Sequence, residues 1–176
     1  MAVIDTSYFF GELSISQPTA TLQMLIDSKE PELLTKLLGY ELNKLYITGI
    51  AVLPTPAQKW LDLRDGKEYT TGGGVLTKWP GLRFTVGTAK KSLVANYVYW
   101  HYLFDNITFT TASGQKKSEL PVNALPDHKM VRAWNEMVNW NIQLNTFLLN
   151  HTADYPEYED VLLCDELFTL QNRLGL

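Results

Sequence analysis

Apolar residues in this chain gather into three long runs at helical spacing, separated by stretches where that spacing breaks down. In the first run, Leu33, Leu34, Leu37, Leu38, Leu42 and Leu45 recur at the i, i+3, i+4 intervals of a helix and make one stripe. Pro31 suits the first turn of that helix, where its missing N–H costs nothing. Gly49 suits the C-terminal stop, and Thr19 caps a short helix over 20–27 ahead of it. The second run, 90–105, carries Leu93, Tyr97, Trp100 and Phe104 on one stripe and Val94, Val98 and His101 on a second. A helix apolar around most of its circumference is buried on most sides, so this run predicts the central helix. The third begins at Asp127, a good N-cap, and ends near Asn150. Met130, Trp134, Met137, Leu144 and Leu148 line one side, with Val131, Val138, Ile142 and Leu149 beside them.

Between the first two runs, 52–87 breaks the helical pattern. Pro54 and Pro56 stiffen its start, and 60–69 reads as extended chain around an Asp65–Gly66 turn. Thr70-Thr71-Gly72-Gly73-Gly74 forms a tip, and a second extended piece follows Trp79-Pro80-Gly81 over 82–86. Residues 108–111 run extended towards Gly114, and 112–126 form a polar loop. The front of the chain is β-branched and aromatic around Gly11 and reads as an extended arm over 1–17. Such an arm either lies on a neighbouring subunit or folds back on its own domain. The tail, 152–176, holds only short apolar pieces. These elements predict one domain over 1–176: a mainly α fold, a bundle of three to four helices with a β-hairpin-like insertion at 52–87 and extended N- and C-terminal arms.

Composition narrows the function. Of 176 residues, 45% are apolar and 19% charged, enough to build a core and too apolar for a disordered chain. Five Trp, nine Tyr and seven Phe supply large buried areas and also suit interfaces. The net charge of −4 and the scatter of basic residues disfavour general nucleic-acid binding, which needs a basic face. Cys164 is the single cysteine, so no intrachain disulfide forms, and a reducing compartment is expected. The N-terminus lacks the basic region of a signal peptide, and no apolar run reaches the roughly 18 residues of a membrane helix. The expected place of synthesis is a cytoplasm, with no membrane partner.

Candidate chemistry is sparse. His101 lies within an aromatic helix, where a core histidine is the favoured reading; His128 and His151 flank helix ends. No two share the spacing of a zinc pair on one helix. Gly72-Gly73-Gly74 is followed by Val75-Leu76-Thr77-Lys78, not by the Gly-Lys-Ser/Thr of a phosphate loop. The carboxylates at Asp154, Glu157, Glu159, Asp160, Asp165 and Glu166 lack the ligand alternation of a calcium loop and read as a solvated face. The expectation is therefore no enzyme, no cofactor and no metal. The reading of another class is a small enzyme or ligand-binding protein with a pocket among the aromatics near Trp100 and Trp134.

One set of landmarks goes further. It comprises Leu37-Leu38-Gly39-Tyr40-Glu41-Leu42, then Trp60-Leu61 with Asp65-Gly66 and Tyr69, then Trp79-Pro80-Gly81-Leu82. It continues through 94–103, through 111–114, through Lys129-Met130-Val131-Arg132-Ala133-Trp134-Asn135, and to Asn172-Arg173-Leu174-Gly175-Leu176. In order and spacing this set resembles small virion proteins of tailed phages and prophages of Bacteroidetes, including crAss-like phages. It is also similar to the broader head–tail connector, or adaptor, group. The resemblance covers about residues 33 to 176 and carries no catalytic motif. It implies a helical subunit that forms a ring in the phage neck, typically of twelve copies. That ring joins the portal protein to the next neck or tail protein and extends the channel through which DNA passes without sequence-specific binding. A lower neck or tail-completion role in the same virion is the neighbouring alternative. The protein is then made in the host bacterial cytoplasm and resides in the virion.

A closed ring uses a heterologous interface, so each subunit needs two different faces. Phe9, Tyr69, Gly73, Trp79, Phe168, Leu174 and Leu176 lie in the three appendages and are the interface candidates. For each, packing within its own appendage is the competing reading.

Overall fold

The first leucine stripe extends further towards the N-terminus than its proline suggests. The computed structural model describes residues 2–15, 18–111, 114–117, 127–158 and 165–172. In it, helix α1 (Thr19–Leu38) is continuous through Pro31. The expectation of a short helix followed by a second one starting at Pro31 is thus corrected. Leu22 and Ile26 stand in phase with Leu33, Leu34, Leu37 and Leu38, and all six are buried. A mid-helix proline costs about 3 kcal/mol, and each buried leucine returns about 1.5–3 kcal/mol, so a stripe spanning the proline outweighs the break. The stop is Gly39, not Gly49: at φ 74 it ends α1, with its N–H on the Thr35 carbonyl at 3.0 Å. Helix α2 (Tyr40–Ile50) then runs past Gly49, where a Cβ would collide with the Trp60 indole.

The stretch expected to be extended at 60–69 instead opens with a helix, α3 (Gln58–Asp65). Trp60 and Leu63 are buried three positions apart, and Gln58 donates to Asp62 at 2.6 Å one turn on. The Asp65–Gly66 pair is accordingly a helix end, with Gly66 at φ 98, and not a hairpin turn. Strands β1 (Lys67–Thr70) and β2 (Leu76–Trp79) pair antiparallel with Lys67 opposite Trp79, and the glycine tip falls between them as expected. The 82–86 piece becomes β3 (Arg83–Val86). It pairs with β4 (Ala89–Ser92), so Lys90 and Lys91 belong to a strand.

Helix α4 (Leu93–Ile107) starts after that strand and packs along α5 (Asp127–Leu149), which forms the other wall of the core. A third ladder, β5 (Thr108–Thr111) with β6 (Gly114–Lys117), follows α4. The fold is mainly helical, with five α-helices among the described residues and small antiparallel hairpins between them.

Aromatic rings fill the centre. Trp79 stacks on Phe147 at 5.8 Å and 19°, and its indole N–H donates to the Leu63 carbonyl at 3.0 Å. The Leu82 amide reaches the same carbonyl at 3.2 Å, and the Trp140 indole donates to the Gly81 carbonyl at 2.9 Å. Two backbone segments therefore cross at contact distance. A Cβ on Gly66 would stand 2.6 Å from the Trp79 carbonyl oxygen, and one on Gly81 2.6 Å from the Arg64 carbonyl oxygen. Both glycines have positive φ, 98° and 96°, which adds strain for any other residue.

Gly66→Ala is expected to lower stability by more than about 2 kcal/mol, from the clash and the left-handed backbone together. Gly72→Ala, with nothing within 4 Å of its Cβ position, is expected to leave stability within about 0.5 kcal/mol of the parent. Urea midpoints of the two variants check the contrast.

Candidate functional site

The appendages expected to be interface elements are largely docked on their own chain. The N-terminal arm is not extended. It forms two 3₁₀ turns, Thr6–Tyr8 and Gly11–Leu13, and buries Val3, Ile4, Tyr8 and Phe9. Its anchor is Glu30, a carboxylate inside α1 that is 6% exposed. It accepts the Val3 amide at 2.8 Å on one oxygen and the Ile4 amide at 3.1 Å on the other. Burial pushes the Glu30 carboxyl above its ordinary value, and the two amides pull against that. Arg83 adds a bond to the Val3 carbonyl at 3.2 Å, Lys90 one to the Ser7 hydroxyl at 2.5 Å, and Arg132 pairs with Glu12 at 3.0 Å. Of the two places open to the arm, its own domain is the one it takes.

The tail is docked as well over the described residues. The turn Asp165–Phe168 and the four residues after it lie along α5. Trp134 donates to the Thr169 carbonyl at 2.8 Å, Asn141 to the Leu167 carbonyl at 3.1 Å, and Asn135 bonds both the amide and the carbonyl of Gln171. Trp134 and Asn141 are seven positions apart, on one face of the helix. The place near Trp100 and Trp134 considered for a ligand pocket holds ring-against-ring contact, with centroids 5.0 Å apart at 52°.

The interface candidates separate accordingly. Phe9, Tyr69 and Trp79 are covered by their own chain, Trp79 to 1% exposure, so each is a core side chain of the fold and not a free anchor. Tyr69 meets Phe147 and His151 edge-on at 5.5 and 5.0 Å. Gly73 is exposed at the β1–β2 tip, and Phe168 is half-buried in the docked turn. Leu174 and Leu176 lie outside the described residues, as do Glu159, Asp160 and Cys164.

What the fold leaves uncovered lies elsewhere. Leu53 is 86% exposed and Met24 72%, and neither was an interface candidate. Leu53 projects from the turn after α2, next to Pro54, with Val52 exposed beside it and Ile47 exposed on α2. Arg64 is the charged residue in the hollow behind this knob. Asp65 is shared between Arg64 at 2.5 Å and Arg83 at 3.0 Å, so two cations answer one anion and the cluster is net positive. Burial raises the Asp65 carboxyl, and the two guanidiniums more than reverse that, holding it below the usual carboxylate range.

Met24 borders an open apolar groove of about 330 Å³ between α1 and α4, lined by Ile15, Leu22, Leu25 and Tyr102, with Asp105 as its charged residue. On α1 the groove uses Thr21, Met24, Leu25 and Ser28. The flank facing α2 uses Ile26, Glu30 and Leu34. At about 100° per residue these two sets point in opposite directions. The signal was present in the sequence: Met24 and Leu25 are apolar but out of phase with the Leu22–Ile26 stripe.

Beside the groove, Glu32 accepts Lys36 at 2.9 Å, Lys29 at 3.1 Å and the Tyr97 hydroxyl at 3.0 Å. The bond from Lys36 first, then those from Lys29 and Tyr97, hold the Glu32 carboxyl down to about 2, while burial and Glu32 push the Tyr97 hydroxyl up to about 12. His101 packs on Tyr97 at 4.5 Å and Trp100 at 4.9 Å, and burial lowers its pKa, with nearby Lys29 adding to the effect. No cluster of three or more His, Cys, Asp or Glu side chains occurs among the described residues. No described helix is long and apolar enough to cross a membrane. Searches of protein-family models, of curated proteins and of solved structures find no match to this chain.

Glu30→Ala is expected to cost about 1–3 kcal/mol, because it strands two buried amides, and to speed hydrogen exchange at Val3 and Ile4 selectively. For Glu32 the folded pKa is depressed from 4.5 to about 2. Its stabilisation is therefore present above pH 4.5 and lost as pH falls towards 2. With solvent screening of this partly exposed cluster, Glu32→Gln is expected to cost about 1 kcal/mol at pH 7. The gap to the parent should close on acidification, read from urea midpoints across pH 7 to 2.5.

Proposed function

We propose that this chain is a non-catalytic structural protein of a tailed-phage virion, a subunit that assembles head to tail into a ring in the neck between portal and tail. The observation that carries the assembly part is the presence of two dissimilar exposed apolar surfaces: a knob around Leu53 and a groove beside Met24. Head-to-tail closure requires two unlike faces. The neck assignment rests on the aromatic and glycine landmarks of the sequence, which resemble those of connector proteins. The structure gives several of these landmarks a physical role. Trp79-Pro80-Gly81-Leu82 and Gly66 form the clamped backbone crossing, and Trp134 and Asn135 hold the tail. The work of such a subunit is mechanical: bind the portal, close the ring, present the next docking surface, and let DNA through. A net charge of −4 suits a channel wall that does not hold DNA, since like charges repel.

The test is the mass of the purified chain in solution, alone and mixed with the portal protein of the same virion. A complex holding a fixed multiple of about twelve chains is the expected result. A chain indifferent to the portal but bound by a tail-side protein moves the assignment to the lower neck or tail-completion position. A chain that remains monomeric with both overturns the ring.

A further inference from the structure

We propose that a hollow between the N-terminal arm and the helical core binds a small zwitterion of the α-amino-acid type with an apolar side chain. This function stands apart from the ring reading and does not rest on it.

The hollow, of about 310 Å³, lies where four elements meet. The arm supplies Phe10 and Leu13, β4 supplies Lys91, α4 supplies Asn96, and α5 supplies Glu136 and Trp140. Its volume is at the small end of the roughly 300–1,000 Å³ typical of ligand sites, which suits a small ligand.

The Asn96 side chain marks this hollow as a site. It is 3% exposed, it lines the hollow, and its Oδ1 has no hydrogen-bond partner. A buried acceptor left unpaired costs free energy that an incoming donor returns. The hollow is the side from which such a donor can reach it.

The charges narrow the ligand. Four charged residues line the hollow: Lys90, Lys91, Glu12 and Glu136. Two of them are already answered. Lys90 donates to the Ser7 hydroxyl and lies 3.9 Å from Asp5, and Glu12 accepts Arg132 at 3.0 Å. Lys91 and Glu136 are exposed and form no ion pair with each other or with any other described residue. One cation and one anion are therefore left for a ligand. An anion alone is repelled by Glu136 and a cation alone by Lys91, whereas a zwitterion satisfies both. Its carboxylate meets Lys91, and its ammonium meets Glu136 and donates to Asn96 Oδ1. The apolar side chain of the ligand lies against Phe10, Leu13 and the ring of Trp140. Phe10 is 43% exposed while its neighbour Phe9 is buried, so its ring is open to contact. The Trp140 N–H is committed to the Gly81 carbonyl, so Trp140 offers only its ring.

The test is a titration of the ¹⁵N-labelled chain with L-leucine and with L-phenylalanine, each to about 10 mM. The expected result, for at least one of them, is saturable shifts of the Asn96 side-chain amide and the Trp140 indole N–H, with a Kd below about 1 mM. The N-acetyl derivative of the same amino acid lacks the ammonium, and its amide lacks the carboxylate. Each is expected to bind at least about tenfold more weakly. Lys91→Gln and Glu136→Gln change exposed side chains, so they are expected to keep the thermal midpoint of the parent and to weaken binding about tenfold. Asn96→Ala is expected to remove the ligand-induced shift of Trp140. If that variant does not fold, the two rim variants decide alone. No saturable shift with either amino acid overturns the site, as do shifts that spare Asn96 and Trp140. Equal binding by a derivative or by either rim variant overturns it too, and each of these results leaves the ring reading untouched.

Discussion

The crossing of two backbone segments at Gly66 and Gly81 is the constraint on which the rest of the fold depends. It brings the end of α3 against the link from β2 to β3 at a separation that no side chain tolerates. Two indoles lock it from either side, Trp79 onto the Leu63 carbonyl and Trp140 onto the Gly81 carbonyl. Because Trp79 also stacks on Phe147, and Trp140 and Phe147 both belong to α5, the crossing is tied to the longest helix of the core. The two hairpins leave this point as short ladders, and their directions follow from it. A buried indole N–H is stabilised by a hydrogen-bond partner. Supplying that partner from backbone carbonyls makes the aromatic packing and the chain path one structure.

Much of this was legible in the sequence, and the failures have identifiable causes. Helices α4 and α5 announced themselves because their apolar residues cover wide faces at one period, a signal that short breaks do not erase. The β1–β2 tip was legible from its glycines. Pro31 was misread because local stereochemistry places proline at helix starts, whereas six buried apolar residues on both sides of it pull the chain through. Residues 60–65 looked extended because Leu61 and Leu63 alternate with charged neighbours over a span too short to separate the two periods. The docked arm and tail depend on Glu30, Asn135 and Asn141, polar residues within helices whose partners lie 26 or more residues away. No local pattern announces a contact of that kind.

The candidate surfaces were harder to read than the fold, for a related reason. Large aromatics draw attention as anchors, but here the core absorbs them: Trp60, Trp79, Trp134 and Trp140 are all buried, and three of their indole N–H groups hold backbone carbonyls. The side chains left in water are smaller and less conspicuous, a leucine just before the loop prolines and a methionine out of step with its helix. Exposure of an apolar residue becomes informative only when the core stripe is known well enough to show which residues do not belong to it.

The arm also carries a consequence in time. Val3, Ile4, Tyr8 and Phe9 leave the ribosome ahead of every element they pack against. Glu30 follows within about a helix length, but the Arg83 that holds the Val3 carbonyl comes 80 residues later, and the Arg132 that pairs with Glu12 comes 120 residues later. At synthesis rates of roughly 5–20 residues per second, this apolar segment stays without its full seat for several seconds. Residues 3–12 are thus made well before all of their contacts, and they stay open to other apolar partners until then.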